Sequence, residues 1–550
     1  LETPSKPGVR TFRLASDGVL PLVRGDFASV LAGVRQRLTS WGALRPPSET
    51  LRVEEGQSGA IVHIGIPVQP LGRVARLMVQ GADASRARAV LRSAQLQPDE
   101  PLDPARLAQA QARVGNLGAF DRVDLFSALE LEETPGNWQE GDLVLSLRER
   151  SPWVFSSGFG YDKSQGYHLG FGAQRLNLGG MGRTLDFGFR AGDATIRNPT
   201  LRRWFPTGTY TRSVDMYSVG YSDPFFAPDV LSGLLPDQTQ LLGEAAYIEE
   251  RRSLYLLRRR RLMGGLEWQM GDHWHIQAGY RFERSEVAAA PGVNIRDEDL
   301  AVVARIPGRA VISAPYLQVT RDLRDNPLDP TAGSFGVLRL EFANQAFGTS
   351  SNSSFVKVDA RQQWHWPLGR RANFGVVSLA LRAGVARPTA STSEELPLAE
   401  RFFAGGPGSH RGVEPDALGP RGAIPRLDDA GQPVLDDQGN PLFQYLPLGG
   451  QGLALASLEY RFPIPFLGSV VWGEVFVDSG QVYQNLSDVG QRPRWPPLRT
   501  ALGLGLIFKI GLPLKVEYAA DVKRILGRPR TPAERDTQLK SVLISAGFQF

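Results

Sequence analysis

Residues 153–173 read WVFSSGFGYDKSQGYHLGFGA, and this stretch decides the fold class. Large apolar side chains occupy alternate positions on both sides of a polar turn at residues 162–166. They are Trp153, Phe155, Phe159 and Tyr161 before the turn and Tyr167, Leu169, Phe171 and Ala173 after it. The positions between them carry small polar residues such as Ser156, Gly158 and Gly160. A two-residue repeat across a turn predicts a β-hairpin with one apolar and one polar face.

The same alternation recurs as far as the last residue. Clear examples lie at 185–191, 274–282, 377–385, 502–506 and 542–550. No segment after residue 150 predicts a helix. Long alternating strands, aromatic residues near strand ends and a terminal Phe550 are typical of a transmembrane antiparallel β-barrel. At about 25 residues per strand and connection, residues 151–550 predict a mainly β barrel of about sixteen strands. A large soluble all-β protein is the alternative.

Composition excludes several classes of function. Lys and Arg total 62 and Asp and Glu total 57, and this small imbalance argues against a nucleic-acid partner. The chain has no Cys, which excludes a disulfide scaffold and a thiol nucleophile. The six His show no metal-ligand spacing, and neither a nucleophile elbow nor a Walker loop is present. We therefore expect no enzymatic activity, no metal and no cofactor.

The first 150 residues follow a different pattern, in which helices alternate with short strands. Residues 71–150 predict a βααββ unit, with strands at 74–79, 122–131 and 142–148 and helices at 85–94 and 104–117. Residues 1–70 predict a partial or divergent copy that ends in a hairpin at 51–53 and 60–66. One helix in this copy would present Phe27, Val30, Leu31, Val34, Leu38 and Trp41 on a single face.

A long connection at about 400–450 is rich in Gly and Pro. It is too long for a hairpin turn, and we expect it to fold into the barrel lumen. An arginine there needs a carboxylate in a fixed place, since burying an unpaired charge is costly. Glu459 and Asp478, on two nearby strands, are the natural partners. The alternative is an external loop whose arginine pairs with solvent-exposed acids.

Five short stretches carry a family resemblance. The loop contains Arg401-Phe402-Phe403-Ala404-Gly405-Gly406 and then Ser409-His410-Arg411-Gly412-Val413. The strands contain Ser457-Leu458-Glu459-Tyr460-Arg461-Phe462 and Phe476-Val477-Asp478-Ser479-Gly480, the latter of the form F-x-D-x-G. Residues 321–333, RDLRDNPLDPTAG, fit the pattern D-x-R-D-N-P-x-x-P-x-x-G. In their order along the barrel, these stretches resemble those of the BamA/TamA outer-membrane assembly factors. The βααββ units resemble that family's polypeptide-transport-associated (POTRA) domains.

The resemblance implies that Arg411 is the loop-tip residue and pairs with Glu459 and Asp478. Phe476 and Gly480 belong to the strand motif. His410 and Val413 depart from the family, which more often has an apolar residue and an aromatic residue at these two positions. Phe550 resembles the terminal signal by which outer-membrane barrels are recognised.

The resemblance also implies a function. The chain would help β-barrel proteins or autotransporters fold and insert into the bacterial outer membrane, with its POTRA domains in the periplasm. Its partners would be unfolded barrel substrates, outer-membrane lipid and lipopolysaccharide, with a periplasm-spanning accessory protein as a further candidate. Residues 401–406 favour the TamA branch over BamA.

The hypothesis for mechanism has two parts. Residues 142–148 would offer a strand edge that captures substrate by β-augmentation. The seam between the first and last barrel strands, weakened by Gly158, Gly160 and Gly547 and ending at Phe550, would open laterally.

Three alternatives remain open. A two-partner secretion transporter is the main one, although Pro4 and Pro7 argue against a pore-plugging helix at residues 1–10. A passive porin is disfavoured by the POTRA-like units and the occluding loop. The basic run Arg258–Arg261 is interpreted as a turn that is solvated or faces lipopolysaccharide.

Overall fold

The computed structural model describes residues 50–546 with short gaps. The gaps are 57–58, 66–70, 83, 129–137, 163–165, 193–211, 227–238, 253, 272, 291–292, 297, 301–307, 370–372, 390–395, 429, 466, 468–469, 487–497, 511 and 527–539. The predicted helix around residues 27–41, Gly547 and Phe550 lie outside the described residues. Within the described ranges, no helix has both the length and the apolar character that crossing a bilayer requires.

The chain divides into two compact units, and among the described residues the first comprises those from Thr50 to Trp153 together with Arg175–Arg183. Its elements are β1 (Thr50–Gly56), β2 (Gly59–Gly65), β3 (Leu71–Gln80), α1 (Ala84–Ala94), α2 (Pro104–Gly115), β4 (Phe120–Ala128) and β5 (Trp138–Glu149). β1 and β2 pair as the predicted hairpin. From β3 to β5 the observed order is the predicted βααββ.

Burial on one face of the helices holds the βααββ unit together. Asp103 caps α2 by accepting a hydrogen bond from the N–H of Ala105, and Pro104 begins the helix without needing a donor. Val90 of α1 and Val114 of α2 are fully buried with Leu145 of β5. The apolar faces of the helices therefore cover the sheet.

The sheet of this unit has the order β3-β5-β4, which corrects one prediction. Residues 142–148 were expected at an edge, but β5 pairs in parallel with β3 and antiparallel with β4. Both sides of its backbone are therefore occupied. A helical crossover between β3 and β4 leaves the position beside β3 free for β5, a placement that periodicity alone does not reveal.

Most of the second unit is a large antiparallel sheet with a barrel fold, of which Trp153 and Arg175–Arg183 fall in the first unit. Its strands are β6 (Trp153–Asp162), β7 (Gly166–Leu178), β8 (Arg183–Gly192), β9 (Arg212–Asp223), β10 (Gln240–Arg252), β11 (Tyr255–Met270), β12 (Trp274–Ala289), β13 (Arg309–Asp322), β14 (Gly333–Ala343), β15 (Phe355–Pro367), β16 (Val376–Pro388), β19 (Gly452–Pro463), β20 (Val471–Tyr483), β21 (Arg499–Ile510), β22 (Leu512–Asp521) and β23 (Lys540–Ala546). Among the described residues, β23 meets β6 through two residue pairs, Ser545 with Asp162 and Ala546 with Tyr161.

Three connections contain short elements. Residues 389–451 join β16 to β19 and hold a 3-10 helix (Leu398–Glu400), β17 (Arg421–Pro425) and β18 (Phe443–Pro447), which pair with each other. We call residues 389–451 the lumen loop. A second 3-10 helix (Gln345–Phe347) precedes β15, and α3 (Val522–Ile525) follows β22.

Burial in the barrel is the reverse of burial in a soluble protein. Phe155 and Leu504 on the outward face are 65% and 60% exposed, whereas Glu283 and Asp478 on the inward face are 0% and 1% exposed. Apolar side chains facing outward are expected when lipid replaces water outside the wall. Polar residues, including Arg and Glu, were expected on the inward face, and the buried carboxylates and arginines there form the candidate site.

Candidate functional site

The lumen loop packs its own apolar residues against the inner wall. Phe402, Val413 and Leu418 are buried together with Phe355 of β15 and Val482 of β20. Because these partners lie on strands well separated along the wall, the loop occupies the barrel interior. This burial fixes the position of the polar residues at its tip.

A tight turn shapes the tip. The Gly405 N–H donates to Ser409 Oγ at 2.8 Å, and the Ser409 hydroxyl donates to the Gly405 carbonyl at 3.0 Å. Gly405 has φ +121°, and a Cβ there would lie 2.1 Å from the Glu414 carbonyl oxygen. Only glycine adopts this positive φ readily and has no Cβ to clash with the Glu414 carbonyl, which explains its place in the loop motif.

Arg411 projects from this turn onto Asp478 of β20. Its Nε donates to Asp478 Oδ2 at 2.8 Å and its Nη2 donates to Oδ1 at 2.8 Å. The Arg411 backbone N–H also donates to Oδ2, at 2.9 Å. Two parallel bonds between a guanidinium and a carboxylate fix orientation as well as distance, so the side chain has one docked position.

Three further carboxylates surround the same guanidinium. Arg411 Nη1 lies 3.2 Å from Glu459 Oε2, 2.7 Å from Glu474 Oε1 and 2.9 Å from Glu517 Oε1. The predicted partners Glu459 and Asp478 are therefore brought together with Arg411, and Glu474 and Glu517 were missed. A signal for Glu474 existed, since it precedes Asp478 by four residues and alternation places both on one face.

Phe476 of the strand motif forms a platform beneath the arginine. The Arg411 guanidinium carbon lies 3.3 Å from the centre of the Phe476 ring, which is 3% exposed. The ring needs room on β21, where a Cβ on Gly503 would lie 2.1 Å from Phe476 Cζ. Stacking on an aromatic face adds cation–π attraction to the ion pairs.

The remaining predicted motif residues have packing roles. His410 is fully buried, and its Nε2 donates to the Arg499 carbonyl at 3.0 Å, which accounts for a polar residue at this position. A Cβ on Gly412 would lie 2.1 Å from the Ala501 Cβ, and one on Gly480 would lie 2.4 Å from Leu455 Cδ2. Val413 is buried in the loop core.

A second ion cluster, not predicted from the sequence, fixes the start of the lumen loop. Glu400 accepts from Arg281 Nη1 at 2.9 Å and from Lys357 Nζ at 3.1 Å. Arg281 also donates to Glu341 at 2.8 Å. These partners come from β12, β14 and β15, whereas those of Arg411 come from β19, β20 and β22. The loop is therefore held at two separated parts of the wall.

The turn at 323–332 also reaches the inner wall. Asp329 accepts from Arg461 Nη1 of β19 at 2.8 Å and from Lys509 Nζ of β21 at 2.5 Å. Burial acts to raise the pKa of Asp329, but bonds from Lys509 and Arg461 outweigh it and lower that pKa. Arg461 Nε lies 3.4 Å from Glu459 Oε1, so a chain of charges runs from this turn to Arg411.

Asp325 gives this turn its shape. Its Oδ1 accepts from the N–H groups of Thr331 and Ala332 at 2.9 and 3.1 Å. The Thr331 hydroxyl donates to Oδ2. Burial acts to raise the pKa of Asp325, but these hydrogen bonds outweigh it and hold the pKa at about 2.

Of the four predicted seam residues, the structure describes Gly158 and Gly160. Gly158 and Gly160 lie in β6, and a Cβ on Gly160 would lie 2.2 Å from His168 Nε2 of β7. Gly160 therefore makes room for a histidine, which is a packing reason independent of any opening. A role of these glycines in a lateral gate stays a prediction.

Comparison with known protein families identifies the family to which this barrel belongs. Residues 177–550 match the Omp85 superfamily domain. The chain belongs to the Omp85 superfamily. In this chain, the Arg411 cluster joins the lumen loop to the barrel wall.

The Omp85 chain is similar to two curated relatives, both named outer membrane protein assembly factor BamA. The one from Neisseria meningitidis is 23% identical over 84% of this chain and 53% of its own length. The one from Nitratidesulfovibrio vulgaris is 23% identical over 80% of this chain and 48% of its own length. The chain spans about half the length of these relatives.

Solved structures share the fold. BamA from Haemophilus ducreyi lacking POTRA domains 1–3 matches with a TM-score of 0.67 at 16% identity, over 96% of this chain and 94% of that one. CdiB from Escherichia coli matches with a TM-score of 0.51 at 13% identity, over 96% and 85%. These identities support the fold alone.

Proposed function

We propose that this Omp85 protein is an outer-membrane assembly factor that helps β-barrel proteins or autotransporters fold and insert into the membrane. The observation that carries the proposal is the lumen loop held by Arg411 on four wall carboxylates. A barrel built for passive diffusion gains nothing from such a plug. The names of the two curated relatives support the same function.

Substrate capture would use a strand edge of the βααββ unit, which we assign as a POTRA domain. Within the described residues β4 pairs only with β5, so β4 replaces residues 142–148 as the candidate edge. Its Phe126 is 55% exposed. An extended substrate segment could add to β4 through backbone hydrogen bonds and cover this side chain.

Insertion would use the seam between β6 and β23. We propose a barrel of sixteen strands that closes there and opens laterally to admit substrate strands. The driving force is the substrate's own burial of apolar surface and closure of its strand edges. The lumen loop and its ion clusters would keep the wall in register while the seam opens.

The location and partners follow from this function. The barrel would lie in the outer membrane, with the lumen loop joining strand ends on the outer side and the first unit in the periplasm. Its partners would be unfolded barrel substrates, outer-membrane lipid and lipopolysaccharide, and a periplasm-spanning accessory protein. Assignment to the TamA branch rests on residues 401–406, and the curated relatives carry the BamA name.

A two-partner secretion transporter is the second candidate. The fold is shared with CdiB as well as with BamA, and a fold alone does not separate assembly from secretion. In that function the lumen loop would constrict a pore through which one soluble partner leaves.

Reconstitution into liposomes tests the proposal. We expect accelerated insertion of an unfolded barrel or autotransporter substrate, together with small and rare ion currents. Arg411→Ala is expected to impair insertion, because it leaves four carboxylates without their shared cation, at a cost of about 3–5 kcal/mol in loop docking. Arg426→Ala, an exposed position on the same loop, is the matched control and is expected to behave as wild type. Large steady currents without accelerated insertion would favour secretion instead.

A further inference from the structure

Five arginines form a patch on the outward face of the barrel. They lie near the strand ends that the lumen loop and residues 253–254 join, and we call them the outer arginine patch: Arg251, Arg258, Arg260, Arg284 and Arg309. The basic run was predicted to be a turn, but it lies inside β11. Its side chains alternate, so Arg259 faces inward to Glu283 while Arg258 and Arg260 are exposed on the outside.

Few carboxylates balance this patch. Glu249 is shared by Arg251 at 2.8 Å and Arg258 at 3.2 Å. Glu286 lies 3.5 Å from Arg284 and 3.5 Å from Arg309, beyond good hydrogen-bond length. Among the described residues of these strands, five cations therefore share two carboxylates.

The centre of the patch places like charges opposite each other. Arg260 of β11 and Arg284 of β12 are register partners on the same face. Directly opposed like charges destabilise a pair of strands. A sequence that breaks a local rule in this way points to a compensating interaction, and an anion between the two guanidinium groups would supply it.

The depth of the patch indicates which anion that is. The next outward pair below Arg260 and Arg284 is Leu262 with Phe282, which are 57% and 44% exposed. One strand step of two residues covers about 7 Å, so the charges begin where the lipid-facing apolar surface ends. Lipid headgroups, which carry phosphates, occupy this level of a bilayer.

We propose that the outer arginine patch binds the phosphate groups of lipopolysaccharide in the outer leaflet. This inference rests on the proposed function for its orientation, with the lumen-loop end of the barrel facing outward. Guanidinium groups bind phosphate through paired, charge-assisted hydrogen bonds. The phosphorylated sugars of one lipid A headgroup span the width of neighbouring strands, so a single molecule can neutralise Arg260 and Arg284 together.

The test measures lipid binding by the full chain. Protein reconstituted in phosphatidylcholine vesicles is titrated with lipid A, dephosphorylated lipid A or phosphatidylglycerol, and bound lipid is quantified by native mass spectrometry. We expect the wild type to prefer lipid A over both other lipids. The double variant R260Q/R284Q is expected to bind lipid A at least about tenfold more weakly, since two charge-assisted contacts are lost.

A matched control lies at the opposite end of the same wall. Arg321 is an outward arginine that stacks over Trp274 at 5.1 Å, and R321Q is expected to bind lipid A as the wild type does. Should R260Q/R284Q fold poorly, Arg309→Gln offers a milder change at a side chain that is 74% exposed.

Three results would overturn the proposal: unchanged binding in the patch variants, an equal loss in R321Q, or equal affinity for phosphatidylglycerol. The assay contains no barrel substrate, so its outcome is separate from that of the insertion assay. A wild type that binds lipid A through the patch but inserts nothing would contradict only the proposed function.

Discussion

At the scale of single residues, the position of the Arg411 side chain depends on the shape of its surroundings as much as on charge. Two bonds to Asp478 set its direction, and the Phe476 ring beneath it limits its movement. Gly503 makes room for that ring. Burying these charges carries a desolvation penalty that offsets much of their mutual attraction. The cluster therefore acts mainly by fixing a single docked position of the loop.

Gly503→Ala tests this dependence without touching a charge. The new methyl group would overlap Phe476 Cζ, so the ring must shift and Arg411 must lose its stacked position. We expect loop docking to weaken by about 1–3 kcal/mol, as for other overpacked sites, with faster proteolysis of the lumen loop. Gly243→Ala in β10 is the matched control, because a Cβ there meets nothing within 4 Å. Equal protease resistance in both variants would show that the ring does not position Arg411.

At the scale of elements, the turn at 323–332 acts beyond the two strands it connects. It joins β13 to β14, yet Asp329 contacts β19 and β21, which lie farther around the wall. The turn therefore crosses the end of the lumen opposite the lumen loop. Through Arg461 and Glu459 it is linked to the Arg411 cluster.

Asp329→Asn is expected to weaken the contact between the turn at 323–332 and the inner wall. Removing the charge leaves Arg461 and Lys509 without their common partner, at a cost near 1 kcal/mol because Asp329 is 42% exposed. In planar bilayers we expect more frequent channel openings with folding unchanged. Lys509→Met should give the same phenotype, and the double variant should be no worse than either single one, as expected for a shared contact. Additive effects would show that Asp329 and Lys509 act independently.

At the scale of the whole molecule, the contact between β6 and β23 is the place where the proposed mechanism requires movement. Described pairing there comprises Asp162 with Ser545 and Tyr161 with Ala546. Because the chain contains no cysteine, an introduced pair has no native thiol with which it could form a wrong disulfide.

The double variant D162C/S545C is expected to stop substrate insertion when oxidised and to recover it on reduction, since the crosslink prevents lateral opening. The pair F342C/V356C joins register partners of β14 and β15 and is the control crosslink, which should leave insertion unchanged. Insertion in liposomes under oxidising and reducing conditions is the measurement. Full activity of the oxidised seam variant would remove lateral opening from the mechanism.

Local patterns in the sequence were sufficient for several features of this protein. Alternation predicted the antiparallel strands and which side chains face outward, because side-chain direction in a strand has a period of two residues. Helical spacing predicted the βααββ order of the first unit. Resemblance and charge together predicted the grouping of Arg411, Glu459 and Asp478, which the structure brings into contact.

Other features depend on which strands lie beside or across from each other, and only the tertiary structure decided them. The central place of β5, the Glu400–Arg281 cluster and the reach of Asp329 to Lys509 each join segments far apart in the chain. The opposed Arg260 and Arg284 require the register of β11 on β12. A period of two fixes the face of a residue but neither its neighbour nor the residue across the lumen, because those follow from strand pairing and the curvature of the wall.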